Sequence, residues 1–374
     1  MAGADVIRLL HAGPLPPPWS GIGVSLQQLI ASQPMRAQDI HVLDTSSRGL
    51  PGDPRRAKRP TPRRLGRHAR LALETTRLIR RHGVQVLHWH GSSHDLSLFG
   101  NALSILAARA AGARTVWHLH EDLGVVAFPG QRRTTQTAFA VAMRAAHAVA
   151  VLSEASHAIA RSYVDPHRLA VLPPTCSPDL LDVPVVRPAG EAIVVMFIGW
   201  LTRDKGIYDL LEVADLLRTG QPRVTFRLAG SGMTAEETAA VRAEVEQRGL
   251  QHQVNLCGVV SGAHKRRLFA DADILYLPTH WDAFPVVVLE AMAAGLPVVS
   301  TCVGGVPSMV EHTRGGLLAA VGDTRQQADD LRTLASSPER RQAMGGFNRQ
   351  RFCAVSHPDV VGQSAVDLYH RLLA

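Results

Sequence analysis

The sequence predicts an α/β protein with two domains, each built on a doubly wound parallel sheet. Its 374 residues suffice for two domains of roughly 150 residues or more. Short, almost wholly apolar runs alternate with segments that are apolar at helical spacing, which is typical of parallel sheets covered by helices on both faces. The alternation stops over residues 182–191 (DVPVVRPAGE), where proline, glycine and charge replace it, and then restarts.

This break sets the expected domain boundaries, residues 1–185 and 186–355. The predicted strands lie at DVIRLLHA, VQVLHWH, RTVWHLH, AVAVLS, AIVVMFIGW, VTFRLAG, QVNLCGV, ADILYLP, LPVVST and GLLAAV. Ligands of such sheets bind beyond the carboxyl ends of the strands, so we expect the functional site in a cleft between the domains.

Composition indicates a globular protein of a reducing compartment. Hydrophobic residues make up 46 %, and no apolar run has the ~18 residues of a membrane span. The start, MAGADVIRLLHAG, is typical of a buried strand and not of a signal peptide. The four cysteines are far apart and form no C-x-x-C pair, which favours a cytoplasmic location without disulfides or structural zinc.

Basic residues are concentrated in residues 55–82, which contain a single acid, Glu74. The helical part has a predicted apolar face, made of Leu65, Ala69, Ala72, Thr76 and Ile79. The opposite stripe is basic and consists of Arg63, Arg67, Arg70, Arg77 and Arg81. Two interpretations stay open: a solvated helix face, or a surface for anionic lipid headgroups at the inner face of the cytoplasmic membrane. Nucleic acid is disfavoured, because no aromatic platform accompanies the charge.

The segment THWDAFPVVVLEAMAAGLPVVST, residues 279–301, contains a predicted apolar helix with one carboxylate before its start and one in its middle. Asp282 could cap the helix or bind sugar hydroxyls. Glu290 is surrounded by apolar residues, so it needs a polar partner, and a ribose diol would serve. The free N–H groups of residues 284–287 would suit a phosphate.

Two other segments have features of phosphate-binding loops. In FIGWLTRDKGIYDLL, residues 197–211, a strand ends at Gly199, and Arg203 and Lys205 precede a helix. Exposed loop cations are common, so this signal is weak alone. In PLPPPWSGIGVSLQQL, residues 14–29, Gly21 and Gly23 open a helix, although the third glycine of a dinucleotide motif is absent.

Two histidine pairs end predicted strands: His88 with His90, and His118 with His120. Each pair lies on one face of its strand. Packing and hydrogen bonding are favoured over a metal site. The D-x-D triplet at 271–273 resembles a metal motif, but it precedes a strand, at the end of the sheet where ligands do not bind.

Together these segments resemble the retaining nucleotide-sugar glycosyltransferases of family 4, which have the GT-B fold: two doubly wound Rossmann-like domains facing a central cleft. The family pattern of an acid, seven residues and Glu-Ala-Met-Ala-x-Gly-x-Pro-Val matches residues 282–298. CVGGVPSMVEHTRGGLLAAVGD matches the next family segment. The fold implies that a C-terminal helix, residues 356–374, completes the first domain.

The resemblance implies a donor site and a set of catalytic residues. Its donor-binding members would be Gly21, Gly23, Gly199, Arg203, Lys205, Val259, Val260, Asp282, Phe284, Pro285, Val286 and Glu290. The catalytic members would be His120, Asp282 and Lys205. No metal and no cofactor are expected.

The implied roles follow by position. Glu290 would hold the ribose, Asp282 the hydroxyls of the transferred sugar, and Lys205 the diphosphate. Backbone groups of Pro285 and Val286 would add hydrogen-bond donors. His120 would contact the transferred sugar. Val259 and Val260 would flank the base, and Gly21 and Gly23 would close over the donor.

Three positions depart from the family pattern. Trp200 stands where the family often has arginine, and Arg203 is the candidate replacement. The first acid, usually glutamate, is Asp282, and the glycine that usually follows is Ala283.

The resemblance implies transfer of a hexose from a nucleotide-diphosphate sugar to a hydroxyl of a glycan or lipid-linked acceptor, with retention of configuration. Polysaccharide or glycoconjugate biosynthesis is the expected setting. Two alternatives share the fold: a nucleotide-sugar 2-epimerase, and a non-catalytic nucleotide-sugar-binding protein.

Overall fold

The computed structural model describes residues 6–16, 20–46, 62–91, 95–121, 123, 133–185, 192–220 and 222–374. The chain forms two compact units, residues 1–176 with 356–374, and residues 177–355. The sequence placed the division further along, after residue 185. The 3₁₀ turn Pro178–Asp182 belongs to the second unit, where Arg266 lies 3.3 Å from Asp182 and Arg349 donates to the Val183 carbonyl.

The first unit contains a six-stranded parallel sheet in the order β2-β1-β3-β4-β5-β6. Its strands are β1 Arg8–Gly13, β2 Asp39–Asp44, β3 Val86–Gly91, β4 Arg114–Leu119, β5 Ala148–Val151 and β6 Leu169–Val171. Its helices are α1 Gly21–Ala31, α2 Gln33–Arg36, α3 Pro62–His82, α4 Asp95–Ala110, α5 Arg133–Ala145, α6 Glu154–Ala160 and, at the C-terminus, α14 Pro358–Leu373.

Two apolar clusters cover the faces of this sheet. One contains Ile79 of α3, Ile105 of α4 and Phe139 of α5. The other contains Leu29 of α1 and Tyr369 of α14. The C-terminal helix is therefore part of the core of the first unit.

The second unit contains a six-stranded parallel sheet in the order β12-β11-β10-β7-β8-β9. Its strands are β7 Ile193–Ile198, β8 Val224–Ala229, β9 Val254–Gly258, β10 Ile274–Leu277, β11 Val298–Thr301 and β12 Gly316–Ala319. Its α-helices are α7 Ile207–Leu216, α8 Ala235–Gln247, α9 Gly262–Asp271, α10 Val286–Ala293, α11 Val306–Met309, α12 Thr324–Ala335 and α13 Pro338–Val355. The prediction of two doubly wound parallel sheets is confirmed.

The apolar face predicted for the basic helix α3 is confirmed at Ala72 and Ile79 and is wrong at Ala69. Ala72, Thr75 and Ile79 are buried, whereas Ala69, expected on the apolar face, is exposed. His68 packs against the neighbouring helix α4, where a Cβ on Gly100 would lie 1.8 Å from the His68 ring. Four arginines with described side chains are exposed: Arg70, Arg77, Arg80 and Arg81. Residues 55–61 and the side chains of 62–65 lie outside the described part.

Candidate active site

Glycines end three neighbouring strands of the second sheet at its carboxyl edge. Gly199 follows β7, Gly230 follows β8, and Gly258 is the last residue of β9. A Cβ on Gly230 would lie 1.8 Å from the Gly199 carbonyl oxygen, so this close approach requires glycine. The edge therefore presents backbone at the strand ends, where parallel sheets bind ligands.

The turn before α7 is held against the end of β10. Gly206 has a φ of +73°, and a Cβ there would lie 1.8 Å from the Pro278 carbonyl oxygen. The His280 amide donates to the Asp204 carbonyl at 2.9 Å. These contacts fix the 3₁₀ turn Arg203–Lys205 beside the segment that follows β10.

The same segment, residues 279–284, is held from its other side by a second glycine turn. A Cβ on Gly304 would lie 1.7 Å from the Asp282 carbonyl oxygen, and one on Gly305 would lie 2.4 Å from that of Ala283. Gly304 also has a positive φ of +53°. The backbone around Asp282 is therefore confined between two turns of the chain.

Lys205 and Asp282, predicted separately, form a hydrogen-bonded ion pair through Nζ and Oδ2. Nζ also lies 3.5 Å from the Trp281 carbonyl oxygen. Both side chains are mostly buried but keep a solvent-exposed part. The charge of Lys205, which was predicted to bind a diphosphate, is therefore neutralised by Asp282, which was predicted to bind a sugar.

The beginning of α10 corrects two predictions. Asp282 does not cap this helix, because its side chain is on Lys205 and the N-cap residue is Pro285. Pro285 has no N–H, so it cannot supply the expected donor. The helix starts at Val286, which leaves the amides of Val286 and Val287 in the first turn, while Val288 donates to the Pro285 carbonyl. Phe284 lies before the helix.

Glu290 has a partner that the sequence did not reveal. Only 5 % of the residue is exposed, and Lys265 Nζ of α9 lies 2.5 Å from its Oε1. Burial raises the pKa of Glu290, and the charge and hydrogen bond of Lys265 oppose that rise. Lys265 belongs to the charged segment SGAHKRRLF, whose pattern indicates only a surface helix. The one feature of the sequence that could have indicated a role for Lys265 is its position on the helix that follows β9.

The remaining predicted donor residues of this unit are more exposed. Arg203 is exposed and lies over the Tyr208 ring, 4.7 Å from its centroid. Trp200 and Val259 are 48 % and 74 % exposed, and Val260 is partly buried. The D-x-D acids lie at the amino end of β10, as expected, where Asp273 accepts from the Val194 amide.

In the first unit, Gly21 and Gly23 lie in the first turn of α1, at the helix start where they were predicted. The Gly23 amide donates to Ser20 Oγ, the N-cap, at 3.1 Å. A Cβ on Gly23 would meet the Pro14 carbonyl oxygen at 3.1 Å, so local packing accounts for this glycine.

His120 lies directly after β4 and belongs to a cluster of five buried histidines. The others are His11, His88, His90 and His118. His11 was not among the predicted residues, because it stands alone on β1. Burial lowers the pKa of every member, that of His11 to about 3 and that of His118 to about 4. The five imidazoles are therefore neutral at physiological pH.

Two family models match the chain. One, Glycosyltransferase Family 4, matches residues 19–180, and the other, Glycosyl transferases group 1, matches residues 183–351. The chain belongs to glycosyltransferase family 4. The two sheets of this family 4 chain have the GT-B fold of Rossmann-like domains, which confirms the predicted family and fold class.

The family 4 chain is similar to the D-inositol 3-phosphate glycosyltransferase of Segniliparus rotundus, with 29 % identity over 209 residues. That match covers 51 % of this chain and 44 % of the relative, so the chain spans less than half of the relative's length.

Two solved structures show the same fold. Anabaena Alr3699/HepE, crystallised with UDP and also with UDP-glucose, has a TM-score of 0.73 in the UDP complex at 17 % identity, covering 97 % of this chain and 100 % of that one. A Rickettsia africae glycosyltransferase has a TM-score of 0.76 at 13 % identity and covers 99 % of both chains.

Within the described residues, no helix combines the length and the apolar character needed to cross a membrane.

Proposed function

We propose that this family 4 glycosyltransferase transfers a hexose from a nucleoside-diphosphate sugar to a hydroxyl of a glycan or lipid-linked acceptor, with retention of anomeric configuration, in polysaccharide or glycoconjugate biosynthesis. The observation that carries the proposal is the Lys205–Asp282 pair, held beside the start of α10 at the carboxyl edge of the second sheet. The likeness to a protein crystallised with UDP and UDP-glucose supports a nucleoside-diphosphate sugar as the donor.

Donor binding exchanges the partner of Lys205. A diphosphate carries more negative charge than one carboxylate, so it displaces Asp282 from Nζ. The freed Asp282 carboxylate then accepts hydrogen bonds from hydroxyls of the transferred sugar. The amides of Val286 and Val287 add donors with the helix dipole behind them.

Glu290 binds the ribose. Its Oε1 is occupied by Lys265, whereas its second oxygen has no hydrogen-bond partner among the described residues. A ribose hydroxyl completes the hydrogen bonding of this buried carboxylate. Val259, exposed at the end of β9, gives the base an apolar surface.

In the transfer step, the bond between the anomeric carbon and the diphosphate oxygen breaks, and its electron pair goes to the diphosphate. The acceptor oxygen forms the new bond on the same face of the sugar, and its proton passes to the departing diphosphate. Lys205 and the helix amides stabilise the developing charge. No metal is part of this proposal. His120 contacts the transferred sugar.

A thermal-shift panel of UDP-, GDP-, ADP- and dTDP-sugars tests donor binding, and release of nucleoside diphosphate with an acceptor tests transfer. A ligand at about 100 times its Kd should stabilise the protein by about 2.7 kcal/mol. Lys205→Ala should reduce turnover roughly a hundredfold, the size of a lost charge-stabilising contact. Arg325→Ala, which removes an exposed cation of α12, serves as the control. Near-normal turnover of Lys205→Ala, or isomerisation of the donor sugar without acceptor, contradicts the proposal.

We further propose that α3 docks on anionic membranes, where lipid-linked acceptors reside. Arg70, Arg77 and Arg81 are exposed on this helix, and Leu73 between them is 71 % exposed. An apolar side chain amid arginines suits the boundary between headgroups and acyl chains.

Vesicle sedimentation tests the docking of α3. Binding to phosphatidylglycerol vesicles should exceed binding to phosphatidylcholine vesicles and decline with salt. The triple variant R70E/R77E/R81E should not sediment, whereas reversal of the exposed Arg242 and Arg325 of the second unit should have no effect. Equal binding by both variants contradicts a specific role for α3.

A further inference from the structure

The five buried histidines of the first unit form two hydrogen-bonded chains. Four lie on the adjacent strands β1, β3 and β4 and His120 follows β4, and neighbouring rings are stacked or tilted with centroids 4.2 to 5.4 Å apart. One chain runs through His88 and His118, the other through His11, His90 and His120. Buried neutral imidazoles each carry one N–H and one lone pair, so the contacts restrict which nitrogen holds the proton.

The direction of the first chain follows from its end. His118 Nε2 lies 2.9 Å from the Leu172 carbonyl oxygen, which only accepts, so Nε2 carries the proton. The lone pair of His118 Nδ1 then accepts from His88 Nε2, 3.3 Å away. His88 Nδ1 in turn accepts from the Tyr369 hydroxyl at 2.5 Å. Every nitrogen of this chain has a partner.

The second chain ends on an unsatisfied atom. His11 Nδ1 lies 3.2 Å from His90 Nε2, and His90 Nδ1 lies 3.0 Å from His120 Nε2. His11 Nε2 is buried and has no hydrogen-bond partner among the described residues. An unsatisfied buried N–H is rarer than an unsatisfied acceptor, so we assign the lone pair to Nε2 and the donated proton to Nδ1 of His11.

The orientation of this chain fixes the tautomer of His120. His90 accepts at Nε2 and donates from Nδ1, so His120 accepts at Nε2 and carries its proton on Nδ1. Exposure increases along the chain, from 0 % at His11 through 2 % at His90 to 8 % at His120. The His120 N–H thus lies at the accessible end, and it has no hydrogen-bond partner among the described residues.

We propose that His11 and His90 are positioning residues that lock His120 as a neutral imidazole, whose Nδ1–H donates a hydrogen bond to an oxygen of the transferred sugar. This inference rests on the proposed function and adds the chemical state of His120. A hydroxyl or ring oxygen of the sugar is the expected acceptor of this hydrogen bond. A donor that carries no positive charge does not repel an oxocarbenium-like transition state.

The ¹⁵N spectrum of histidine tests the proposal in the unmodified protein. Long-range ¹H–¹⁵N correlation distinguishes the two neutral tautomers and the imidazolium, and His120→Gln assigns the signal. The expected result at pH 7 is a neutral His120 protonated on Nδ1. A proton on Nε2, an imidazolium, or a metal found in the purified protein by elemental analysis would each overturn the proposal.

Substitutions of His90 separate positioning from packing. His90→Asn keeps a donor at the place of Nδ1, whereas His90→Leu fills the space without one. His90→Leu should mix the tautomers of His120 and lower kcat roughly tenfold to a hundredfold, the usual cost of a misplaced group. His90→Asn should keep the Nδ1–H signal and most of the rate. Equal rates and equal spectra in the two variants would overturn the assignment.

Binding of UDP alone, measured by calorimetry, distinguishes failure of the positioning role of His90 from failure of the proposed transferase function. Loss of transfer in His90→Leu with unchanged UDP binding and a shifted His120 signal supports the positioning role. If His120 has the expected tautomer but the protein transfers no sugar, the proposed function is wrong and the tautomer assignment is still supported.

Discussion

Lys265 Nζ lies 2.5 Å from Glu290 Oε1, and this contact joins α9 to the middle of the apolar helix α10. The carboxylate is almost wholly buried, whereas Lys265 keeps contact with solvent. The lysine therefore brings in the compensating charge that a buried carboxylate requires. Glu290 can remain ionised while its second oxygen stays available to a ligand.

Lys265→Met should destabilise the protein by about 1.5–3 kcal/mol, the range for a hydrogen bond to a charged group. The double variant Lys265→Met/Glu290→Gln should recover much of that loss, because no unpaired buried charge is left. Urea denaturation of the four members of this cycle measures the coupling. Additive effects of the two substitutions would show that the contact contributes nothing specific.

Glu290→Gln should separate stability from function. The raised native pKa means that the folded protein binds a proton at a higher pH than the unfolded chain, whose ordinary value is 4.5. Stability from this group therefore falls as pH rises above 4.5, up to the native pKa. The melting temperature of Glu290→Gln relative to the native protein should be higher at pH 7 than at pH 4.5, while the proposed ribose contact predicts a lower affinity for the donor nucleotide. A variant that loses stability equally at both pH values would argue against this account.

Gly206→Ala and Gly304→Ala should each unfold more easily and weaken the proposed binding of a nucleoside diphosphate. Both positions have positive φ, and a Cβ there would overlap the carbonyl of Pro278 or Asp282. Gly322→Ala is the matched control, since its φ is +75° and a Cβ would meet open space. Left-handed strain alone costs roughly 1–2 kcal/mol, so the control should lose that much and the other two clearly more. Equal melting temperatures for the three variants would contradict the predicted overlap.

The first unit should lose stability as pH falls, beginning at a pH well above the range in which carboxylates protonate. The unfolded histidines bind protons near 6.5, whereas His11 and His118 resist protonation until about pH 3 and 4. The unfolded chain thus binds more protons, and the free energy of unfolding decreases as pH falls from 6.5 towards 4. Each such histidine contributes up to about 1.4 kcal/mol per pH unit.

Urea denaturation between pH 7.5 and 5 measures this slope. His11→Leu should reduce it, and replacement of the exposed His252 by glutamine should not. The same slope in all three proteins would show that the buried cluster is not its origin.

The inner strands of both sheets could be predicted from the sequence because each is an apolar run. Two strands were missed, β2 and β6, and they are the two edges of the first sheet. β2 is partly exposed along most of its length, and β6 has three residues, so neither forms a continuous apolar run.

The residues of the candidate site also fall into two groups, those that could be predicted from the sequence and those that could not. Lys205, Asp282 and Glu290 follow from local patterns, since a strand end or an apolar helix surrounds each. The Lys265 partner of Glu290 and the His11 partner of His90 depend on contacts between distant segments, which residue spacing does not encode. Of the two interpretations of Asp282, the helix cap was wrong, because Lys205, 77 residues away, takes its carboxylate.

The confinement of residues 279–284 between the turns at Gly206 and Gly304 has a consequence for divergence and design. The path of this segment is set by carbonyl groups packed on glycines and by the side chains of Thr279, which donates to the Asp204 and Trp281 carbonyls, and His280, 2.7 Å from Asp209. The side chains of Trp281 and Ala283 make no such hydrogen bond among the described residues. Exposed Trp281 and partly buried Ala283 can therefore be substituted without a change in the backbone path of the loop. Saturation libraries at these two positions are thus a direct route to altered sugar preference, with Lys205, the proposed phosphate ligand, left in place.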